Sequence, residues 1–254
     1  MPSCGPIHFR FDGPAGAPAL VLSNSLGTDL GLWDAQAPRL AERFRLVRYD
    51  ARGHGASAVT PGPYDVALLG RDVLALLDEL ALPRASFCGL SLGGQVGLWL
   101  ALNAPERLDR LVLANTGARI GTHEIWNARI DAVRRGGVAA VADGAIERWF
   151  TPDFRARAAE EVGRMRRMLL ACPADGYAAA CAAVRDFDAR DAVGRIGVPT
   201  LVVTGSADVA TPPADARRLA AAIPGARCVE LPAAHLSNIE AADAFTAAVL
   251  AFLA

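Results

Sequence analysis

The stretch "RASFCGLSLGGQVGLWLALNAP", residues 84–105, constrains the fold of this chain more than any other. A short apolar run over 85–90 meets a Gly-x-Ser-x-Gly pentad, Gly89 to Gly93, and helical periodicity then continues until Pro105. Strand, sharp turn and helix in that order hold a serine side chain at the apex of the turn, clear of both elements. Glycines on either side relieve the crowding that such a turn creates. The helix that follows aims its unpaired N–H groups and the positive end of its dipole at the same point. A serine hydroxyl alone is a weak nucleophile, so Ser91 predicts chemistry only if the chain also supplies a base and an acid to orient it.

The same alternation recurs along the chain. "ALVLSN" (19–24), "FRLVRYD" (44–50), "ASFCGL" (85–90), "LDRLVLAN" (108–115), "PTLVVTG" (199–205) and "RCVELPA" (227–233) read as strands. Most are continuous apolar runs, as parallel strands covered on both faces require. Segments 66–80, 92–105, 213–225 and 239–254 carry helical periodicity between them. The pattern predicts an α/β architecture, a mostly parallel doubly wound sheet with helices on both faces. It breaks between 118 and 191, where the sequence is helical with no strand candidate. The expectation is a core of residues 1–117 and 192–254 with a helical cap, 118–191, inserted into it.

Composition narrows the partners. The formal net charge of −1 and the lack of a basic run speak against nucleic acid. With 52% hydrophobic and 21% charged residues, the chain nowhere runs to about eighteen uncharged apolar residues, so no membrane span is expected. "MPSCGPIHFRFDG" lacks a basic start followed by an apolar segment, so no secretory signal is expected either. Five scattered cysteines (Cys4, Cys88, Cys172, Cys181, Cys228) form no C-x-x-C pair, which disfavours disulfides and zinc and suits a cytoplasmic protein. Cys88 and Cys228 lie in strand-like runs and are expected to be small buried hydrophobes. A homo-oligomer is compatible with the sequence.

Four histidines are available as a base: His8, His54, His123 and His235. In this architecture the order along the chain is serine, acid, histidine, which removes His8 and His54. His123 stands at the entrance to the helical region, whereas His235 follows the last strand, where doubly wound sheets place their sites. Asp208, just beyond the strand 199–205, is the acid; it would hold the imidazole tautomer and stabilise the imidazolium. Asp215 is explained as a helix N-terminal charge, and Asp131, Asp143 and Asp175 lack a strand to position them. Two backbone donors for an oxyanion are expected, the N–H of Leu92 and the N–H of Leu26.

With these pieces in place the chain resembles an α/β-hydrolase with a helical cap, over its whole length. "SNSLGTDLGLWDAQAPRLAERFRLVRYDARGHGAS" is similar to the family's oxyanion loop and its D-x-R-G-x-G-x-S turn. Asn24-Ser25 stands where most relatives carry His-Gly. That departure, with "FCGLSLGGQVGLWLALNAPERLDRLVLANTGARIG", resembles the 3-oxoadipate enol-lactonases of protocatechuate and catechol degradation. The resemblance implies a serine hydrolase of the β-ketoadipate pathway. It would open an enol-lactone bearing a carboxylate through an acyl-enzyme on Ser91, with no metal and no organic cofactor. In the cap, Trp126 and Arg129 share one helix face and suit a flat ring bearing an anion, as does an amphipathic helix with solvated arginines. Ser25 and Trp149 are further candidates for the substrate pocket. Other readings are another cofactor-free hydrolase of this fold (a carboxylesterase, a perhydrolase or haloperoxidase-like enzyme, a C–C hydrolase) or a ligand-binding protein of slow turnover.

Overall fold

Eight strands form one sheet, in the order β1-β2-β4-β3-β5-β6-β7-β8. They are β1 (Ser3–Cys4), β2 (Ile7–Asp12), β3 (Ala19–Ser23), β4 (Arg45–Tyr49), β5 (Ala85–Leu90), β6 (Leu108–Ala114), β7 (Thr200–Gly205) and β8 (Arg227–Leu231). The computed structural model describes residues 3–254, with side chains from Gly5 onward, so the side chain of Cys4 lies outside the described residues. Pairing from β4 through β8 is parallel, whereas β1 and β2 run antiparallel at one edge. Every strand read from the sequence is present, and the β1–β2 ribbon adds to them. Its signal was the alternation Ile7, Phe9, Phe11, of which Ile7 and Phe9 are buried, a period of two that a search for continuous apolar runs passes over.

Burial follows position in the sheet. β3, β5 and β7 are buried along their whole length, which explains their unbroken apolar sequences. β8 is the far edge and mostly exposed, so Cys228, expected to be buried, faces solvent, while Cys88 on β5 is fully buried. Strand order reverses between β3 and β5, and the loops leaving their C-terminal ends diverge to form a crevice there.

The helices that flank the sheet are α1 (Ala37–Ala41), α2 (Val66–Glu79) and α3 (Leu92–Asn103) in the first half. Helix α3 packs on β5 and β6 with α2 beside it. Because α3 is enclosed on nearly all sides, it is apolar nearly all round. Between β6 and β7 the chain runs through α4 (His123–Gly136), α5 (Ala139–Trp149), α6 (Pro152–Arg157), α7 (Ala159–Ala171) and α8 (Ala174–Asp186), with no strand. Helix α8 packs against α4, and nine consecutive residues, Gly176–Val184, are buried. Gly176 lets a neighbour approach closely: a Cβ there would meet the Gly53 carbonyl oxygen at 2.1 Å.

Backbone hydrogen bonds close this helical segment and tie it to the loop before α2. The Ala189 N–H donates to the Ala118 carbonyl (2.8 Å), closing exit onto entrance, and Tyr64 N–H donates to the Ala179 carbonyl (3.1 Å). After β7 come α9 (Pro213–Ala222), α10 (Ser237–Glu240) and α11 (Ala242–Leu253), with α9 covering β7 and β8. Among the described residues no helix is long and apolar enough to cross a membrane.

Candidate active site

Ser91 sits between β5 and α3 with φ +57° and ψ −112°, a left-handed conformation rare for a residue with a side chain. Such strain costs on the order of 1–3 kcal/mol and persists only where the surroundings impose it. Here its N–H donates to the Ala114 carbonyl (2.9 Å) and its carbonyl accepts from the Thr116 hydroxyl (2.7 Å). The two glycines of the pentad are a packing necessity. A Cβ on Gly89 would lie 2.1 Å from the Gly93 carbonyl oxygen, and one on Gly93 2.3 Å from the Ser23 carbonyl oxygen.

The loop after β3 lies against this turn. Gly93 N–H donates to the Asn24 carbonyl (3.0 Å). The Asn24 side chain accepts from Trp33 Nε1 (2.8 Å) and donates to the Tyr49 carbonyl (2.7 Å), so Asn24 shapes the loop. The N–H groups of Leu26 and Leu92 make no hydrogen bond to any described residue. His54, which chain order removes as the base, holds the same loop: its Nε2 accepts from Gly27 N–H (3.0 Å) and its Nδ1 faces the Arg52 carbonyl (3.2 Å). Burial drives the His54 pKa below the ordinary histidine value, which keeps Nε2 free to accept.

His235 lies after β8 and Asp208 after β7, both buried. His235 Nδ1 is 2.9 Å from Asp208 Oδ2. That oxygen also accepts from Asn115 Nδ2 (2.9 Å) and the Thr211 hydroxyl (2.6 Å), while Oδ1 accepts from the N–H groups of Ala210 (2.8 Å) and Thr211 (2.9 Å). Burial opposes ionisation of Asp208, but the facing imidazole and these donors outweigh it and hold its pKa below the carboxylate range. An ionised carboxylate only accepts, so Nδ1 of His235 carries the proton and Nε2 is left as a base. Asn115 is itself at φ +44°, with its Oδ1 receiving the Ser237 hydroxyl.

Ser91 and His235 open onto one cavity of about 390 Å³, the size of a small-molecule site. Ser25, Leu26, Trp126, Arg129 and Trp149 line it as well, so the chain brings together the substrate-pocket candidates named from the sequence. Leu92 and Asp208 do not line it; Asp208 stands behind His235, and Leu92 opens α3 with its side chain buried. The Arg129 guanidinium lies 4.7 Å from the centre of the Trp126 ring, whose indole N–H is taken by the Ile120 carbonyl (2.7 Å). Sequence reasoning missed Arg148 and Tyr177 on the wall. It also gave Asp215 no place there, although Asp215 lines the cavity while ion-paired to Arg218. For Arg148 the signal was adjacency to Trp149 at the end of α5; for Tyr177, an aromatic within an alanine run.

A strained serine turn at the crevice of a doubly wound sheet, with a buried histidine–aspartate pair beside it, defines a hydrolase of the α/β class. The chain belongs to the α/β hydrolase fold family, whose model matches residues 18–242. Among proteins of that family it is similar to 3-oxoadipate enol-lactonase 2 of Acinetobacter baylyi, 43% identical over 97% of this chain and 92% of that one. Two crystal structures resemble it closely. The enol-lactonase from Burkholderia xenovorans LB400 is 47% identical with a TM-score of 0.96, covering 97% of this chain and 96% of the other. A hydrolase from Pseudomonas aeruginosa is 53% identical with a TM-score of 0.95, covering 97% and 94%.

Proposed function

We propose that the protein hydrolyses 3-oxoadipate enol-lactone to 3-oxoadipate through an acyl-enzyme on Ser91. The observation that carries the reading is a single cavity uniting Ser91 and His235 with Arg129, a cation without a carboxylate partner beside the Trp126 ring. The similarity to enol-lactonases over nearly the whole chain supports the same substrate.

His235 Nε2 takes the Ser91 proton as Oγ adds to the lactone carbonyl. The N–H groups of Leu26 and Leu92 receive the oxyanion; neither has a partner among the described residues. Collapse breaks the ring C–O bond and expels an enolate, which His235 protonates on the way to the ketone. Water, deprotonated by the same histidine, then releases the acyl group and restores Ser91. Residues 118–191 act as the cap over a core of 1–117 and 192–254, and Arg129 binds the substrate carboxylate with Trp126, Ser25 and Trp149 around the ring. The same reading places the enzyme in the cytoplasm, where an anionic catabolic intermediate is made and used.

Enzymatically generated 3-oxoadipate enol-lactone, followed by loss of ultraviolet absorbance, tests this directly. Hydrolysis by the protein and none by Ser91→Ala is the expected result. An inert wild-type protein, or an alanine variant at full rate, overturns it.

A further inference from the structure

Two arginines line the cavity, Arg129 from α4 and Arg148 from α5, yet the lactone carries one carboxylate. The Arg148 side chain makes no hydrogen bond or ion pair to any described residue, and the Arg129 side chain makes no ion pair. Three other buried or half-buried cations are matched by carboxylates: Arg48 by Asp12 and Asp34, Arg52 by Asp72, Arg164 by Glu161. The carboxylate on the cavity wall, Asp215, is held by Arg218. Arg148 is partly buried, and that burial together with the repulsion from Arg129 lowers its pKa. Two guanidinium groups that repel one another out of bulk water are stable company only for an anion.

The lactone at rest supplies one negative charge, and ring opening creates a second. When Ser91 Oγ has added to the carbonyl, the C–O bond of the ring breaks and its electron pair passes to the ring oxygen. That oxygen becomes an enolate on the carbon joined through one methylene to the carboxylate, so both charges lie at one end of the acyl-enzyme.

Resting on the enol-lactone reading above, we infer that Arg148 is a catalytic residue that hydrogen-bonds the departing ring oxygen while Arg129 holds the carboxylate. The second guanidinium then meets a charge present only as the ring opens, and such an interaction lowers the barrier instead of tightening the ground state. The proton that His235 took from Ser91 passes to the enolate carbon, the oxygen becomes the ketone, and Arg148 is released for the next turnover.

The backbone keeps these groups in register. The Trp149 carbonyl, next to Arg148, accepts from the N–H of Leu236, next to His235 (3.0 Å). Glu240 adds a second tie: Oε2 accepts from Ala234 N–H (2.9 Å) and Thr151 N–H (3.2 Å), and Oε1 from the Thr151 hydroxyl. The end of α5 and the histidine loop are therefore one unit.

Steady-state kinetics of the full chain with Arg148→Gln, Arg148→Lys and Arg129→Gln decide the matter. Arg148→Gln should lower kcat on the enol-lactone by about 100-fold, the usual effect of removing one donor to a developing anion, with little change in KM. Arg129→Gln should act chiefly on KM. Arg148→Lys, or guanidinium added to Arg148→Gln, should restore part of kcat. Turnover of p-nitrophenyl acetate, whose leaving group has no neighbouring carboxylate, should fall at least about tenfold less. A rise in KM with kcat intact would make Arg148 a second carboxylate clamp and overturn the inference. Equal losses on both substrates, or no loss at all, would overturn it too. A wild-type protein that cleaves the acetate and ignores the lactone would overturn the substrate assignment and this role together. Wild-type lactonase activity untouched by Arg148→Gln would overturn this role alone.

Discussion

Replacing Asp208 by asparagine changes few atoms, and the hydrogen-bond pattern around it says which way the new amide turns. Oδ1 receives two backbone N–H groups, from Ala210 and Thr211, which cannot rotate away. Placing the NH2 there would leave both donors facing a donor, at about 1–3 kcal/mol each. Around Oδ2 the partners are more adaptable. The Thr211 hydroxyl can turn to accept and the imidazole can change tautomer, leaving only Asn115 opposed. The amide therefore points its NH2 at His235, whose Nδ1 must become the acceptor and whose Nε2 then carries the proton. In that tautomer Nε2 cannot take the Ser91 proton. The expected loss in kcat is about 10⁴-fold, or about 5.4 kcal/mol of transition-state stabilisation, with the fold retained. Hydrolysis of p-nitrophenyl acetate and of the enol-lactone at pH 7.5, with thermal unfolding measured alongside, is the assay. A folded Asp208→Asn protein keeping more than about a tenth of wild-type kcat would refute the tautomer argument.

Further outcomes follow from the same contacts. Arg129→Ala should raise KM for the anionic lactone far more than for a neutral ester, and equal effects would remove Arg129 from carboxylate binding. Glu240→Ala strips the acceptor from Ala234 and Thr151, so chemical denaturation should show about 2–4 kcal/mol less stability, with Glu240→Gln recovering part of it. Because His54 has a depressed pKa in the folded protein, its contribution is present above the unfolded value of about 6.5 and is lost as pH falls below it. Urea midpoints should fall between pH 7.5 and 5.5, and His54→Gln should flatten that difference; an unchanged slope would show that His54 is not the group responsible. Asp208 works at the other end of the scale. Its depressed pKa gives stability above the ordinary carboxylate range that is lost only in stronger acid, so Asp208→Asn should shrink the acid limb of the same titration.

The serine turn was legible because it depends on short-range order. A Gly-x-Ser-x-Gly turn between a buried strand and an apolar helix admits one local geometry, and the order serine, aspartate, histidine follows the succession of β5, β7 and β8. Trp126 and Arg129 were legible because three residues of a helix return to one face. What escaped was decided by neighbours distant in the chain. Cys228 has the apolar flanks of a core strand, yet β8 ends the sheet and leaves it exposed. Arg148 resembles any arginine on an alanine-rich helix until the Trp149–Leu236 hydrogen bond fixes how α5 meets the histidine loop. Asp215 satisfies the helix-dipole explanation in sequence and still reaches the cavity wall. Local backbone preferences and hydrophobic period act within a few residues, so the sequence by itself determined strands β3 to β8, the serine turn and the order of Ser91, Asp208 and His235 along them. The rotation of each helix between β6 and β7 is set by packing across elements, and only the tertiary structure decided which side chains share a cavity with Ser91.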